Sequence, residues 1–355
     1  MFGWLLMLAV IIVLWFMIPE AIGTKKKKLI FMGLSFAMVV FILGSRGDYA
    51  ANCLDLSNYI KWYNYAIDLP LSELLEYDEL ESGYLILNNI VAWFVPWKFF
   101  FNYVQAAFCT GVMFWYIYRN VDDVFFGVIV YICLGPWQFF LTAFRQSFAT
   151  CLCFIAFELI KKKKTSYDLL SLGIVALAST LHTTAWVFLA VFVVRCFKVG
   201  KGIVVFSIIT ALGMTQVIDE LVKFGNEALG REYVTGSYFG NVFAGIIPIA
   251  IYMVTLILCY FAWHNDKGFI EKHALDINML IFGLCLYTLR YNTHVFERIS
   301  FYFTPVISVV LPAAVSKQKS KIESNMITII CIALCISLFI YRSVSQFGEY
   351  YFFWE

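Results

Sequence analysis

Long apolar runs separated by short polar punctuation organise the chain. They lie at about 2–22, 29–43, 99–118, 124–140, 146–160, 167–181, 185–197, 203–217, 242–263, 275–289, 299–315 and 326–341. A spanning helix needs about 20 predominantly apolar residues. The pattern therefore predicts an all-α fold: a polytopic integral membrane protein of about twelve transmembrane helices, with residues 1–355 forming a single membrane domain. One further run, 84–95, is short, is interrupted by Asn88 and Asn89 and is stopped by Pro96. Its length predicts a re-entrant or interfacial helix instead of a span. The run at 2–22 has no basic stretch before it and no small-residue cleavage site after it, so it reads as a retained first span.

Basic residues in short loops set orientation. Lys25–Lys28 and Lys161–Lys164 share the cytoplasmic side only if 84–95 does not cross. The same parity places seventeen of the 26 Lys and Arg inside, and most of the 24 Asp and Glu outside, with both termini external. His264 and His273 then lie in an inner connection and are expected to be solvated.

Composition sharpens this picture. The 355 residues are 62% hydrophobic and 14% charged, against roughly 45–50% and ~25% in soluble domains. No room remains for a soluble catalytic domain, so chemistry must sit on helix ends and loops. A net charge of +2 points to no nucleic-acid partner. Nine of the ten cysteines lie in or at the ends of apolar runs, leaving Cys53 in a polar loop, and there is no CxxC and no Cys/His spacing suited to zinc. Neither a disulfide framework nor a metal site is expected, and no cofactor is called for.

The longest connection, 44–98, is predicted to be external. A connection of that length in a compact protein is usually functional or disordered. Tyr49, Tyr59, Trp62, Tyr63, Tyr65, Tyr77, Tyr84, Trp93 and Trp97 give it the means to pack. Ionisable groups at a membrane face are costly and are functional candidates by default. Four clusters fall on the external side: Ser45 to Tyr59 with Glu81–Tyr84, Phe144–Gln146, Leu181–Thr184, and Arg290 to Phe303.

Arg46, Arg145, Arg290 and Arg298 present four guanidinium groups there, whose planar forks match phosphate oxygens. A diphosphate is the natural guest. Asp48, Asp55, Glu81, His182, His294 and Glu297 supply proton acceptors at the same level, and aromatic rings of the long connection offer faces for sugars. The same residues also admit a plain structural reading. Arg145 and Arg298 would pair with Glu81 and Glu297, His182 would tie two helix ends together, and the aromatics would form an interfacial belt.

The chain resembles the EpsG/Wzy-type polysaccharide polymerases. Arg46 through Asp55 to Tyr59 is similar to that family's early Arg, Gly-x-Asp, Tyr pattern, and Glu81-Ser82-Gly83-Tyr84 to its Glu-x-Gly-Tyr/Phe. Phe144-Arg145-Gln146-Ser147-Phe148-Ala149 is similar to its Arg-Gln-x-x-Ala helix start, Leu181-His182-Thr183-Thr184-Ala185 to its His-x-Ser/Thr-Ala turn, and Arg298 to Phe303 to its late Arg-x-x-x-Tyr-Phe helix. One position departs: Cys53 stands where the family has Gly, which leaves Asp48 as a competitor to Asp55.

The resemblance implies a GT-C-like helical arrangement and a membrane glycosyltransferase that joins undecaprenyl-diphosphate-linked oligosaccharides into O-antigen, capsule or exopolysaccharide. It would act outside the bacterial cytoplasmic membrane, with membrane lipids, a chain-length regulator and a flippase of the same pathway as partners. Arg145 and Arg298, supported by Arg46 and Arg290, would hold diphosphate. His182, Asp55 and Glu81 would act as base or position sugar, and Asp48, Tyr59, Tyr84, Gln146, Glu297 and Tyr302 would bind sugar or support the site. The alternatives are an O-antigen ligase, a transporter that flips lipid-linked oligosaccharide, and a scaffold subunit of an export complex. A ligase usually carries its large loop late in the chain, and a flippase needs polar groups at the midplane.

Overall fold

The computed structural model describes residues 2–47, 54–76, 80–134, 136–229, 242–291, 294–345 and 350–355. Its α-helices run in order α1 (Phe2–Met17), α2 (Thr24–Gly44), α3 (Leu54–Asp68), α4 (Leu71–Glu76), α5 (Ser82–Phe94), α6 (Phe100–Asn120), α7 (Val124–Cys133), α8 (Pro136–Thr142) and α9 (Phe144–Ile160). After α10 (Thr165–Leu181), a 3-10 stretch over Thr183–Leu189 leads into α11 (Ala190–Val194). Then come α12 (Lys201–Leu229), α13 (Val242–Asn265), α14 (Lys267–Thr288), α15 (His294–Ser300), α16 (Ile307–Val315) and α17 (Lys321–Ser345).

Every predicted apolar run falls on helix. Among the described residues, three helices are by length and composition able to cross a membrane: α2, the Gly245–Asn265 part of α13, and α17. At 1.5 Å per residue, the 21 residues of α2 extend about 32 Å, close to the ~30 Å of a hydrocarbon core.

Two predicted runs are broken where proline interrupts the hydrogen-bond ladder. Residues 124–140 split into α7, ending at Cys133, and α8, opened by Pro136 at the position where its missing N–H is harmless. Residues 299–315 split into α15 and α16, with Thr304–Val306 forming a 3-10 turn around Pro305. Asp123 starts α7 by accepting from the Phe126 amide at 2.9 Å, and Asp266 starts α14 by accepting from Gly268 at 2.9 Å.

The connection over 44–98 contains three helices, α3 to α5. The 13 residues of α5 fall short of the ~20 a spanning helix needs. It buries Tyr84, Leu85, Asn88, Val91 and Ala92 while Trp93 and Phe94 stay exposed. With Leu56, Ile60, Tyr63 and Leu74 it forms a second apolar core, closed by Phe101, Phe144, Phe148 and Leu181 from α6, α9 and α10. This small assembly sits on the ends of the long helices and carries Glu81 to them.

Polar helix ends sort into two opposite sets. At one end, Ser45 after α2 meets Tyr103 of α6 (2.6 Å), and Asn102 donates to the Arg46 carbonyl (3.4 Å). At the other, Asn120 ending α6 meets Glu158 of α9 (3.1 Å), and Lys161 pairs with Asp276 of α14 (2.7 Å). One helix length separates an arginine-bearing end from a lysine-bearing end. The C-terminal residues return to the first of these, where Phe353 N–H donates to the Ser45 carbonyl (3.0 Å) and Gly47 N–H to that of Tyr351 (2.9 Å).

One histidine departs from expectation. His264 is exposed, but His273 is only 4% exposed, packed on Phe269 and 3.8 Å from Asp276. The reason is that α14 starts at Lys267, which carries His273 inside the bundle instead of leaving it in a loop. Asp276 also accepts from the Tyr116 hydroxyl at 2.6 Å.

Candidate functional site

Three helix ends converge on one carboxylate. Glu81 occupies the N-cap position of α5 without capping it, so its side chain is free to reach across. Gly83 makes this possible: a Cβ there would collide with the hydroxyl and carbonyl of Thr180, so only glycine lets the start of α5 lie against the end of α10. Glu81 Oε2 pairs with Nη1 of Arg145, the second residue of α9. Glu81 Oε1 lies 3.0 Å from Nδ1 of His182 and 3.3 Å from the Thr183 amide, at the junction of α10 and the 3-10 stretch.

These contacts fix protonation. Burial alone would raise the Glu81 pKa, but the hydrogen bond with His182 and the charge of Arg145 outweigh it and hold the carboxyl well below the usual carboxylate range. An ionised carboxylate only accepts, so His182 Nδ1 carries the proton and donates it to Glu81. Burial lowers the His182 pKa against the opposing pull of Glu81, and Arg145 and Arg298 lower it further. The imidazole is therefore neutral at neutral pH, and the lone pair on Nε2 is a base. Glu81 is thereby placed to orient His182, where the sequence offered it as a base or a sugar-positioning residue.

Tyr59 stacks on Phe144, ring centroids 4.6 Å apart and planes 5° from parallel, with its hydroxyl against Arg145. Burial raises its pKa, so it stays a phenol able to donate. Asp55 lies one turn earlier on α3, close enough for its charge to act on Tyr59. Arg298, on α15, acts electrostatically on both Tyr59 and His182. No carboxylate pairs with the Arg298 guanidinium among the described residues.

The other predicted residues support this centre or lie beside it. Gln146 is buried and donates to the Arg298 carbonyl at 2.6 Å, fastening α15 to α9. Tyr302 is buried and meets the Thr184 hydroxyl at 3.0 Å, fastening the His182 turn to the segment after α15. Tyr84 is likewise buried, in the second core, so neither tyrosine offers its face to a sugar.

Arg46 and Arg290 do not join Arg145 and Arg298. Arg46 is 2% exposed and donates to the carbonyls of Leu43 (3.1 Å) and Leu141 (3.0 Å), with its guanidinium 5.8 Å from the Phe144 ring. Arg290 pairs with Glu297 at 3.0 Å and contacts the Tyr287 hydroxyl. Glu297 thus serves Arg290, where the structural reading had assigned it to Arg298. Asp48 lies outside the described residues, as does the side chain of His294.

Sequence reading missed Arg342. It lies in the last turn of α17, is 8% exposed, and donates to the Cys133 carbonyl at 3.4 Å, in electrostatic range of Tyr252, Tyr287 and Glu297. The available signal was an arginine directly after the last apolar run.

Comparison with known proteins adds one match. The model of the EpsG family fits residues 29–354, nearly the whole chain and all of the convergent residues. No curated protein and no solved structure matches the chain.

Proposed function

Because the chain belongs to the EpsG family of polysaccharide polymerases, we propose that it joins undecaprenyl-diphosphate-linked oligosaccharide repeat units into a surface polysaccharide. The reaction would take place at the outer face of the bacterial cytoplasmic membrane. The observation that carries this reading is a neutral, oriented His182 beside a guanidinium, Arg298, that has no carboxylate partner among the described residues.

A sugar hydroxyl of the acceptor attacks the anomeric carbon of the donor. Its proton passes to Nε2 of His182, the new glycosidic bond forms, and the bond from anomeric carbon to diphosphate oxygen breaks. The departing lipid diphosphate gains negative charge, which Arg298 and Arg145 stabilise. Asp55 and Tyr59 flank this space and suit sugar hydroxyls. Twelve spans in a GT-C-like arrangement complete the proposal, with the lysine-rich end in the cytoplasm. A chain-length regulator and a flippase act as partners in the same pathway.

The test is the polysaccharide of a strain lacking the protein. Collapse of the ladder to single repeat units supports a polymerase. Repeat units retained on the lipid carrier with no transfer to the final acceptor point to a ligase, and loss of all surface saccharide points to a flippase. Reporter fusions after Asn120 and Ser166 test the orientation, and an external signal from either removes the proposed sidedness.

A further inference from the structure

At the lysine-bearing end, a cleft of about 360 Å³ opens between three segments far apart in the chain. Thr24, Lys25 and Lys28 line it from the first turns of α2, Arg119 and Asp122 from the end of α6 and just beyond, and Lys272 from α14. Four cations and one carboxylate line the cleft; that carboxylate, Asp122, is fully exposed and 3.9 Å from Lys28, while Arg119 also pairs with Glu158 of α9 at 3.7 Å, so the three lysines carry the excess charge. The neighbouring Asp123 is occupied in capping α7.

The lysine run of α2 divides in two. Lys27 is buried against Glu20 (2.5 Å) and the Trp15 ring (4.5 Å), while Lys25 and Lys28 turn to the cleft. Loop lysines that only set orientation need net positive charge and no particular arrangement. They do not require charges from α2, α6 and α14 to meet around one concavity. Such convergence is repulsive without an anion, and a concave wall of one sign concentrates counter-charge.

We propose that this cleft binds a phosphate-bearing headgroup. Three ammonium groups suit phosphate oxygens, with the Arg119 guanidinium, shared with Glu158, beside them, and the volume matches a small-ligand site. The cleft lies at the start of α2, a helix long and apolar enough to cross a membrane, so the favoured source is an anionic phospholipid of the leaflet where that helix would begin. A soluble phosphate compound is the other source of the same chemistry. The proposal is independent of the polymerase reading.

The experiment is native mass spectrometry of the full-length protein in detergent, titrated with phosphatidylglycerol, phosphatidylcholine and inorganic phosphate. Wild type should bind phosphatidylglycerol more tightly than phosphatidylcholine. K25Q/K28Q/K272Q should weaken phosphatidylglycerol binding at least about tenfold. K162Q/K163Q/K164Q removes exposed lysines of the same end that do not line the cleft, and should stay within about twofold. Displacement of phosphatidylglycerol by millimolar inorganic phosphate assigns the site to soluble phosphate, and its absence assigns it to lipid. Equal weakening in both triple variants, or no preference over phosphatidylcholine, overturns the proposal. Lysine acetylation of the unaltered protein guards against misfolded variants. Phosphatidylglycerol should shield Lys25, Lys28 and Lys272 and not Lys162–Lys164, and uniform shielding overturns the site.

Discussion

Nδ1 of His182 donates to Oε1 of Glu81 across 3.0 Å, joining the end of α10 to the start of α5. This contact fixes which imidazole nitrogen is basic. Glu81→Gln exchanges an obligate acceptor for a group that can also donate, which permits the tautomer with its proton on Nε2. Chain growth in a purified assay with lipid-linked repeat units should fall about 10²–10⁴-fold, the usual contribution of a general base. His182→Ala should lose as much. If E81Q turns over at the wild-type rate, Glu81 does not orient the base.

The two site arginines should separate by stability. Arg145 is paired with Glu81, so Arg145→Ala leaves a mostly buried carboxylate without its counter-charge, held only by His182 and the Thr183 amide, at a cost of up to about 3 kcal/mol. Arg298 has no carboxylate partner among the described residues, so Arg298→Ala should unfold near the wild-type temperature while abolishing polymer. Arg298→Lys should rescue poorly, because an ammonium cannot offer the bidentate fork. Full polymer length from R298K, or a large loss of stability in R298A, would instead make Arg298 a structural charge.

How much of this was legible in the sequence depends on what carried the signal. The apolar runs fall mainly on helix among the described residues, because a hydrophobic stretch leaves the backbone few other solutions in lipid. Gly135-Pro136 and Pro305 were visible as letters, but that they would divide runs into separate helices depended on packing. The Glu81–His182–Arg145 convergence was half legible. All three were singled out and Arg145 with Glu81 was weighed as an ion pair, but residues 81 and 182 meet only because Gly83 lies against Thr180. The sequence set Arg46 and Arg290 as supports for Arg145 and Arg298, and their separate partners were not legible for a physical reason: residue type does not reveal whether a guanidinium already has backbone carbonyls, as Arg46 has, or a carboxylate, as Arg290 has.

The pH response follows from the same pair. The folded pKa of His182 lies below its ordinary 6.5, so in the window between the two values the unfolded chain binds the extra proton. Its contribution to stability is complete above about pH 6.5 and shrinks as pH falls towards the folded value. Glu81, also depressed, contributes fully above its ordinary 4.5 and loses that contribution only below it. Melting temperature in detergent should therefore decline from pH 7.5 to 5.5, and His182→Gln should flatten that decline. An unchanged slope in H182Q places the titrating group elsewhere.

Gly83→Ala tests the packing that assembles the site without touching any group proposed to meet substrate. The new methyl would overlap the Thr180 hydroxyl and carbonyl, so α5 has to shift away from α10. Overpacking of this kind typically costs about 1–3 kcal/mol. Because Glu81 lies two residues before Gly83, the shift also stretches its contacts to His182 and the Thr183 amide, and activity should fall further than stability alone explains. Thr180→Ala removes the hydroxyl, which donates only to the Leu177 carbonyl of its own helix, and should be nearly neutral by itself. In the double variant the methyl meets the carbonyl but no longer the hydroxyl. The pair should therefore be less damaged than the sum of the single effects, in both melting temperature and polymer length, because contacting residues are coupled. Strict additivity would mean that the backbone carbonyl and Cβ of residue 180 set the clash at Gly83, with no part taken by the hydroxyl.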